Sequence, residues 1–533
     1  MNATHGWILV VLLALPFAGG VASWLVSRYS IRLARWTALL AMALGLVIVA
    51  VTWIGYSGDL FKPGQPWLEW VSWPWIPQIG ISFSLGMDGL SLIMVALCYL
   101  LGMISVIVSW REIDTRVGFF HFQLLWSISG LVGAFLATDL FLFYFLFEVM
   151  LVPMYFLIAI WGHERRVYSA IKFFIFTQVG ALLMLVAILA LYFIHGSATG
   201  DYTFNYFALL GTPMSSTTAM WIMLGFFVAF AVKLPALPLH TWLPDAHTEA
   251  PTAGSIVLAG LLIKIGAYGM IRFQVPLFPQ AAHSFQPVAM WIGVAGIIYG
   301  AVLAFSQRDL KRLVAYTSIS HMGFVLLGIF AWNGRALQGV VLEIVCHALS
   351  TGGLFVIVGQ VQERTGTRDL TRLGGAWGGA RNMGGAAMIF ALASLGLPGL
   401  GNFVAEFLIL SGSFSVNRAA TSVAMFGLIA SVVYAIWLFQ QIFHGEDRMT
   451  FRDLSVREIT IVTLMIAPLM FLGLYPRPML STSASALRDI QPRAAQLSKG
   501  SAPVAAARPP SSAPGTVATS GVTAQADRAE PVP

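Results

Sequence analysis

Residues 231–269 read AVKLPALPLHTWLPDAHTEAPTAGSIVLAGLLIKIGAYG. Lys233 lies about fourteen residues into an apolar run, and Pro235 and Pro238 follow at once. Proline removes a backbone donor and disturbs the preceding turn, so carbonyls are freed at membrane depth. A polar segment with His240, Asp245, His247 and Glu249 comes next, then a second apolar run with Lys264 at its centre. Gly260 and Gly266 flank that lysine and permit close helix approach. Each apolar run is long enough to cross a bilayer as a helix. The stretch therefore dictates a membrane helix bundle with a broken helix and lysines inside the hydrocarbon. A charge there costs roughly 3 kcal/mol even on lenient insertion scales, and such residues mark ion or proton paths.

Composition supports that reading over the whole chain. The 533 residues are 58% hydrophobic and only 10% charged, with a mean hydropathy of +0.80. A soluble domain carries about a quarter charged residues. A soluble catalytic domain is excluded, and the net charge of +7 reflects loop lysines and arginines that set topology, with no call for nucleic acid. Cys98 and Cys346 stand far apart in apolar runs and read as small packing residues. Met1–Gly6 has no lysine or arginine, so the run from Trp7 reads as a first span and not a signal peptide.

Apolar runs separated by polar, proline or glycine residues predict fourteen spans. They lie at about 7–27, 35–57, 87–110, 117–137, 139–161, 168–194, 219–241, 250–273, 286–305, 313–332, 337–361, 383–413, 421–443 and 457–475. Loops after odd-numbered spans hold seventeen lysines and arginines, and those after even-numbered spans hold four, the tail apart. Basic loops stay inside, so both termini are expected outside. Residues 58–86 carry Trp67, Trp70, Trp73 and Trp75, then Ile79, Ile81, Phe83 and Leu85 in alternation, which predicts an outer-face hairpin. From about 490 to 533 the chain is rich in Ala, Pro and Ser and reads as a disordered tail. Leu234-Pro235-Ala236-Leu237-Pro238 is echoed by Leu397-Pro398-Gly399-Leu400-Gly401 five spans later. An odd offset inverts a repeated unit in the membrane, and inverted repeats with broken helices belong to transporters.

Other buried charges extend the series. Glu148 lies about nine residues into the fifth span, in FLFYFLFEVMLVP. Paired with a lysine at about 4 Å and an effective dielectric near 20, it gains roughly 4 kcal/mol. Moving one charge across about 200 mV takes roughly 4.6 kcal/mol, a matching scale. Two readings stand for such a pair: a switch that drives a proton, or a static ion pair. Lys233 is too deep for easy snorkelling, whereas Lys172 sits one turn inside the basic end of its helix, where snorkelling explains it. Asp139 near the outer end of the fifth span reads as a cap. Glu406 follows Pro398 by eight residues, roughly 12 Å further along the twelfth span, and reads as an outlet acid. His321 and His347 occupy the middles of the tenth and eleventh spans, as relays, as satisfied core histidines or as haem ligands. Glu343, one turn before His347, is expected to face that imidazole. A metal held by His240, Asp245, His247 and Glu249 is a further reading of the polar segment.

At this point the motifs are recognisable. FEVMLVPMYFLIAIWG at 147–162, AIKFFIFTQVG at 170–180, the 231–269 stretch and SLGLPGLGNFVAEFLIL at 394–410 closely resemble the antiporter-like subunits of respiratory complex I, the NADH:quinone oxidoreductase. The resemblance covers residues 1 to about 480. It implies an all-α membrane protein with three leading helices over 1–116 and two inverted five-helix half-channels at 117–273 and 286–443. It implies Glu148 and Lys233 as a coupling pair, Lys264 as central relay, His321 and His347 as onward relays and Glu406 as outlet. The corresponding outlet residue in sister subunits and in multi-subunit sodium/proton antiporters is typically lysine. The implied function is proton translocation in a bacterial cytoplasmic (inner) membrane beside other membrane-arm subunits. NADH, FMN, iron–sulfur clusters and quinone are then used by other subunits, with no cofactor or metal in this chain. The alternative is a subunit of a multi-subunit sodium/proton antiporter, and a passive scaffold is a third reading.

Overall fold

A computed structural model describes residues 6–56, 67–446 and 452–498. The chain opens with α1 (Trp7–Val26) and α2 (Ile31–Gly55), followed by the antiparallel strands β1 (Trp67–Ile76) and β2 (Ile81–Asp88). Then come α3 (Gly89–Glu112), α4 (Val117–Leu136), α5 (Leu140–Trp161), α6 (Arg166–Thr199) and α7 (Ser216–Lys233). A short α8 (Trp242–Glu249) leads to α9 (Thr252–Leu277), α10 (Pro279–Phe305), α11 (Leu310–Ala331) and α12 (Gly334–Thr365). The half-length helices α13 (Arg381–Ser394) and α14 (Gly401–Phe414) precede α15 (Arg418–Phe443), α16 (Val456–Leu474) and α17 (Arg477–Ser498).

Thirteen of these helices are long and apolar enough to cross a membrane. The remaining predicted span, the twelfth at 383–413, is the α13–α14 pair, broken at the echoed motif where Gly396 and Gly399 take φ of 75° and 101°. The predicted seventh span is likewise shorter than read. It stops at Lys233 and resumes as α8, so both copies of the motif interrupt a helix. Pro235 has no N–H for Ala231, whose carbonyl accepts from Ala236 N at 2.9 Å instead. The freed Val232 carbonyl accepts from the Trp242 indole at 2.9 Å. Broken backbone at this depth is thus hydrogen-bonded inside the protein.

Helices α9, α11 and α12 are buried on every side, whereas α1, α2 and α16 bury about a third of their membrane windows. The outer helices turn Val47, Val51, Val186, Phe426 and Ile429 outward, as lipid contact demands. The predicted hairpin forms, with Val71 opposite Leu85 and Trp73 stacked on Phe83 at 5.9 Å. The part of that prediction over 58–66 lies outside the described residues. The tail departs from expectation: α17 is helical through Ser498, past the point read as the start of disorder. Its buried residues Thr482, Ser483, Ala486, Leu487 and Ile490 recur at helical spacing and face α3, α10 and α12. Residues 499–533 of the predicted tail lie outside the described residues.

Candidate functional site

The three fully buried helices carry the central groups. Lys264 starts the α-helical middle of α9, between π-helical turns at Leu258–Leu262 and Met270–Gln274. Such turns shift side-chain direction within a helix and recur at functional sites. Its Nζ lies 2.8 Å from His347 Nδ1 on α12 and 3.5 Å from the Met322 sulfur on α11. The His347 and His321 rings meet edge to face with centroids 5.3 Å apart. His321 Nδ1 in turn stands 3.2 Å from Glu406 Oε1 on α14 and 3.4 Å from Glu343 Oε1 on α12. On its other side, His321 Nε2 lies 3.4 Å from the Tyr434 hydroxyl of α15. All of these ionisable side chains are buried. The structure thus brings Lys264, His347, His321 and Glu406 into one contiguous row.

Two expectations change. Glu343 turns to His321 across the helix interface and not to His347 one turn along its own helix. Glu148 and Lys233 make no ion pair among the described residues. Lys233 Nζ instead lies 4.8 Å from the centre of the Phe147 ring and has no hydrogen-bond partner. Glu148 follows Phe147 in the chain and remains the charged group that acts on Lys233. Glu148 sits just before the Met150 irregularity of α5, where Pro153 interrupts the ladder.

The polar segment between α7 and α9 distributes its groups. Asp245 accepts from Lys172 at 2.6 Å and pairs with Arg312 at 3.2 Å, tying α6, α8 and α11 together. Glu249 Oε2 accepts from Arg165 N at 2.8 Å, His240 meets Tyr299 edge to face, and His247 stacks on Phe355 at 4.7 Å. Among the described residues these four do not converge on a metal-sized centre; the group that does is His321, Glu343 and Glu406, whose nearest ligand-type atoms lie within 4.8 Å of one another. Asp139 caps α5, accepting from Phe141 N and Leu142 N.

Several functional contacts had little signal in sequence. Lys311 counts as a loop cation, yet it is buried and donates to the Ala250 carbonyl at 2.8 Å. Glu112 at the end of α3 accepts from Thr252 N and Oγ1 at 2.7 and 2.8 Å and so caps α9. A polar cavity of about 290 Å³ opens there, lined by Glu112, His163, Thr252, Gln360, Glu363 and Arg457. His163, in the loop after α5, has its pKa lowered to about 4 by burial and by the nearby Lys311 and Arg368. It therefore remains a neutral acceptor beside Lys311 at neutral pH.

Residues 137–433, more than half of the chain, match the NADH:quinone oxidoreductase/Mrp antiporter transmembrane family. The chain belongs to this family. Among its relatives is NADH-quinone oxidoreductase subunit M of Escherichia coli (strain K12), 49% identical over 496 residues, covering 91% of this chain and 97% of that protein. The subunit M of Pseudomonas aeruginosa is 50% identical over 497 residues, with the same coverage of 91% and 97%. Among solved structures, a chain of respiratory complex I from Thermus thermophilus with bound NADH superposes with a TM-score of 0.80 at 31% identity, covering 90% of this chain and 99% of its own. A chain of the Mrp complex from Dietzia sp. DQ12-45-1b gives 0.76 at 22% identity over 92% of this chain and 55% of its own, a likeness of fold alone. Within the family match fall Glu148, Lys233, Lys264, His321, Glu343, His347 and Glu406.

Proposed function

We propose that this chain is the subunit M-type, proton-translocating member of a bacterial NADH:quinone oxidoreductase. It pumps without a redox centre of its own. The observation that carries this is the buried row Lys264–His347–His321–Glu406, whose first link is 2.8 Å and whose last is 3.2 Å. Those separations suit proton transfer between side chains, and the ring contact in the middle is within reach through one water or a ring rotation. Lys264 donates to His347, His321 hands on to Glu406, and the apolar wall around them prevents leakage.

Glu148 and Lys233 stand upstream of that row. Each is the charged group acting on the other without a direct ion pair, which leaves their attraction adjustable by small side-chain movements, as a coupling step requires. Electron transfer from NADH to quinone through FMN and iron–sulfur clusters in other subunits would reset it. The neighbours are other antiporter-like membrane-arm subunits. The chain spans the cytoplasmic membrane many times, with its arginine-rich loops inside and both termini on the periplasmic side. The alignment of 49% and 50% identical subunits M along nearly their whole length favours this over a sodium/proton antiporter, whose solved example shares only the fold.

The test is Glu148→Ala in the complete oxidoreductase reconstituted in vesicles. NADH-driven proton uptake should fall sharply while the complex still assembles. Wild-type pumping would sink the reading.

A further inference from the structure

We propose that Glu343 is a proton-carrying residue of the release cluster, sharing the single His321 Nδ1 proton with Glu406. The inference rests on the translocation reading above and adds a group that reading does not use. Glu343 and Glu406 approach the same ring nitrogen from different helices, at 3.4 and 3.2 Å. Nδ1 carries at most one hydrogen. Neither carboxylate lies in line with it, and Nδ1 has no aligned hydrogen-bond acceptor. The ring N–H therefore has two carboxylates competing for it, at 3.2 and 3.4 Å, either of which becomes its acceptor by a small movement.

Burial makes that competition consequential. Glu343 is 0% exposed and neither of its oxygens has a hydrogen-bond partner. Glu406 is 2% exposed and its Oε1 is equally unpartnered. Whichever carboxylate lacks the imidazole proton is a buried anion without a donor, which is costly unless it holds a proton itself. The other groups facing the cluster are Lys264 on α9, His347 and Cys346 on α12, and Tyr434 on α15. Lys264 is the lysine among them, and its own contact is with His347. One imidazole thus serves two acids, and the cluster stores a proton on a carboxylate.

The transfer balances in two steps. Starting from the His321 imidazolium, the Nδ1–H bond breaks as an O–H bond forms on Glu406, leaving a neutral imidazole that keeps its Nε2–H. The O–H bond of Glu343 then breaks as Nδ1–H re-forms, leaving Glu343 as the anion. No proton is gained or lost; the negative charge moves from Glu406 to Glu343. His321 touches Glu343 at 3.4 Å and meets the His347 ring at 5.3 Å, so Glu343 is reloaded from Lys264 and His347 through that imidazole.

The experiment uses the whole oxidoreductase in vesicles with Glu343→Gln, Glu343→Asp and Glu406→Gln. Protons pumped per NADH oxidised and the infrared C=O band of protonated carboxyls are measured for each. Glu343→Gln should lower the pumping ratio by about twofold or more and remove one carboxyl component, with Glu343→Asp restoring most of the ratio. Normal pumping in Glu343→Gln with impaired pumping in Glu406→Gln overturns the inference and leaves the translocation reading intact. Normal pumping in both overturns the release site itself. Should Glu343→Gln fail to assemble, a carboxyl band shifted in Glu343→Asp supports the proposal, and an unshifted band overturns it.

Discussion

Lys264 shows what a single residue contributes to this site. Its ammonium is fully buried, with one imidazole nitrogen and one thioether for its three donors. Lys264→Met keeps the length of the side chain and removes both the charge and the exchangeable proton. Packing changes little, so the chain should still assemble, while proton pumping per NADH should fall by about twofold or more. A scaffold role predicts the reverse, lost assembly with unimpaired pumping in whatever complex remains, and measuring both quantities separates the two. The lysine itself was legible because a charge in an apolar run stands out. The partner of Glu343 was not. Helical spacing places Glu343 and His347 on one face, yet side chains on a buried helix reach across to whichever neighbour lies over the preceding turn, and Glu343 reaches His321. Resemblance paired Glu148 with Lys233, and each is the charged group acting on the other, although the Phe147 ring and not the carboxylate lies in contact with that lysine.

Elements were legible where proline or patterning acts locally. Pro235 and Pro398 announced two broken helices, and alternation in Ile81, Phe83 and Leu85 announced a strand. The π turns of α9 left no trace, because a helix apolar all round has no face whose drift would reveal them. Helix α17 was missed for a related reason: Thr482, Ser483 and Ala486 on its inward stripe are small, so no apolar run marks it. The break after Lys233 depends on one contact that a substitution can isolate. Trp242 is fully buried, and its indole N–H is the donor for the Val232 carbonyl. Trp242→Phe preserves an aromatic body but leaves that carbonyl unsatisfied at membrane depth. The expected cost is about 1–3 kcal/mol, read as a lowered midpoint for thermal denaturation of the purified complex. An unchanged midpoint would mean the freed carbonyl finds another donor.

At the scale of the molecule, the row of proton carriers depends on α9 being held in place at both ends. At one end Glu112 of α3 caps Thr252. At the other, Arg272 of α9 pairs with Asp88, the last residue of the hairpin and the cap of α3. Arg272 also lies over Trp67 and Tyr268, at 5.2 and 5.6 Å from the ring centres. Both side chains of the pair are almost wholly buried, at 3% and 1% exposure. Replacing such a pair together can be nearly neutral, but removing one partner strands a buried charge. Arg272→Met should therefore destabilise the chain by about 3–5 kcal/mol, seen as reduced assembly into membranes and a lower thermal midpoint. Arg272→Met with Asp88→Asn should recover much of that loss, since asparagine still caps α3 and carries no charge. If the double variant were as unstable as the single, the guanidinium would be acting through its aromatic stacking, and the hairpin would be held to α9 by Trp67 and Tyr268 in place of the ion pair.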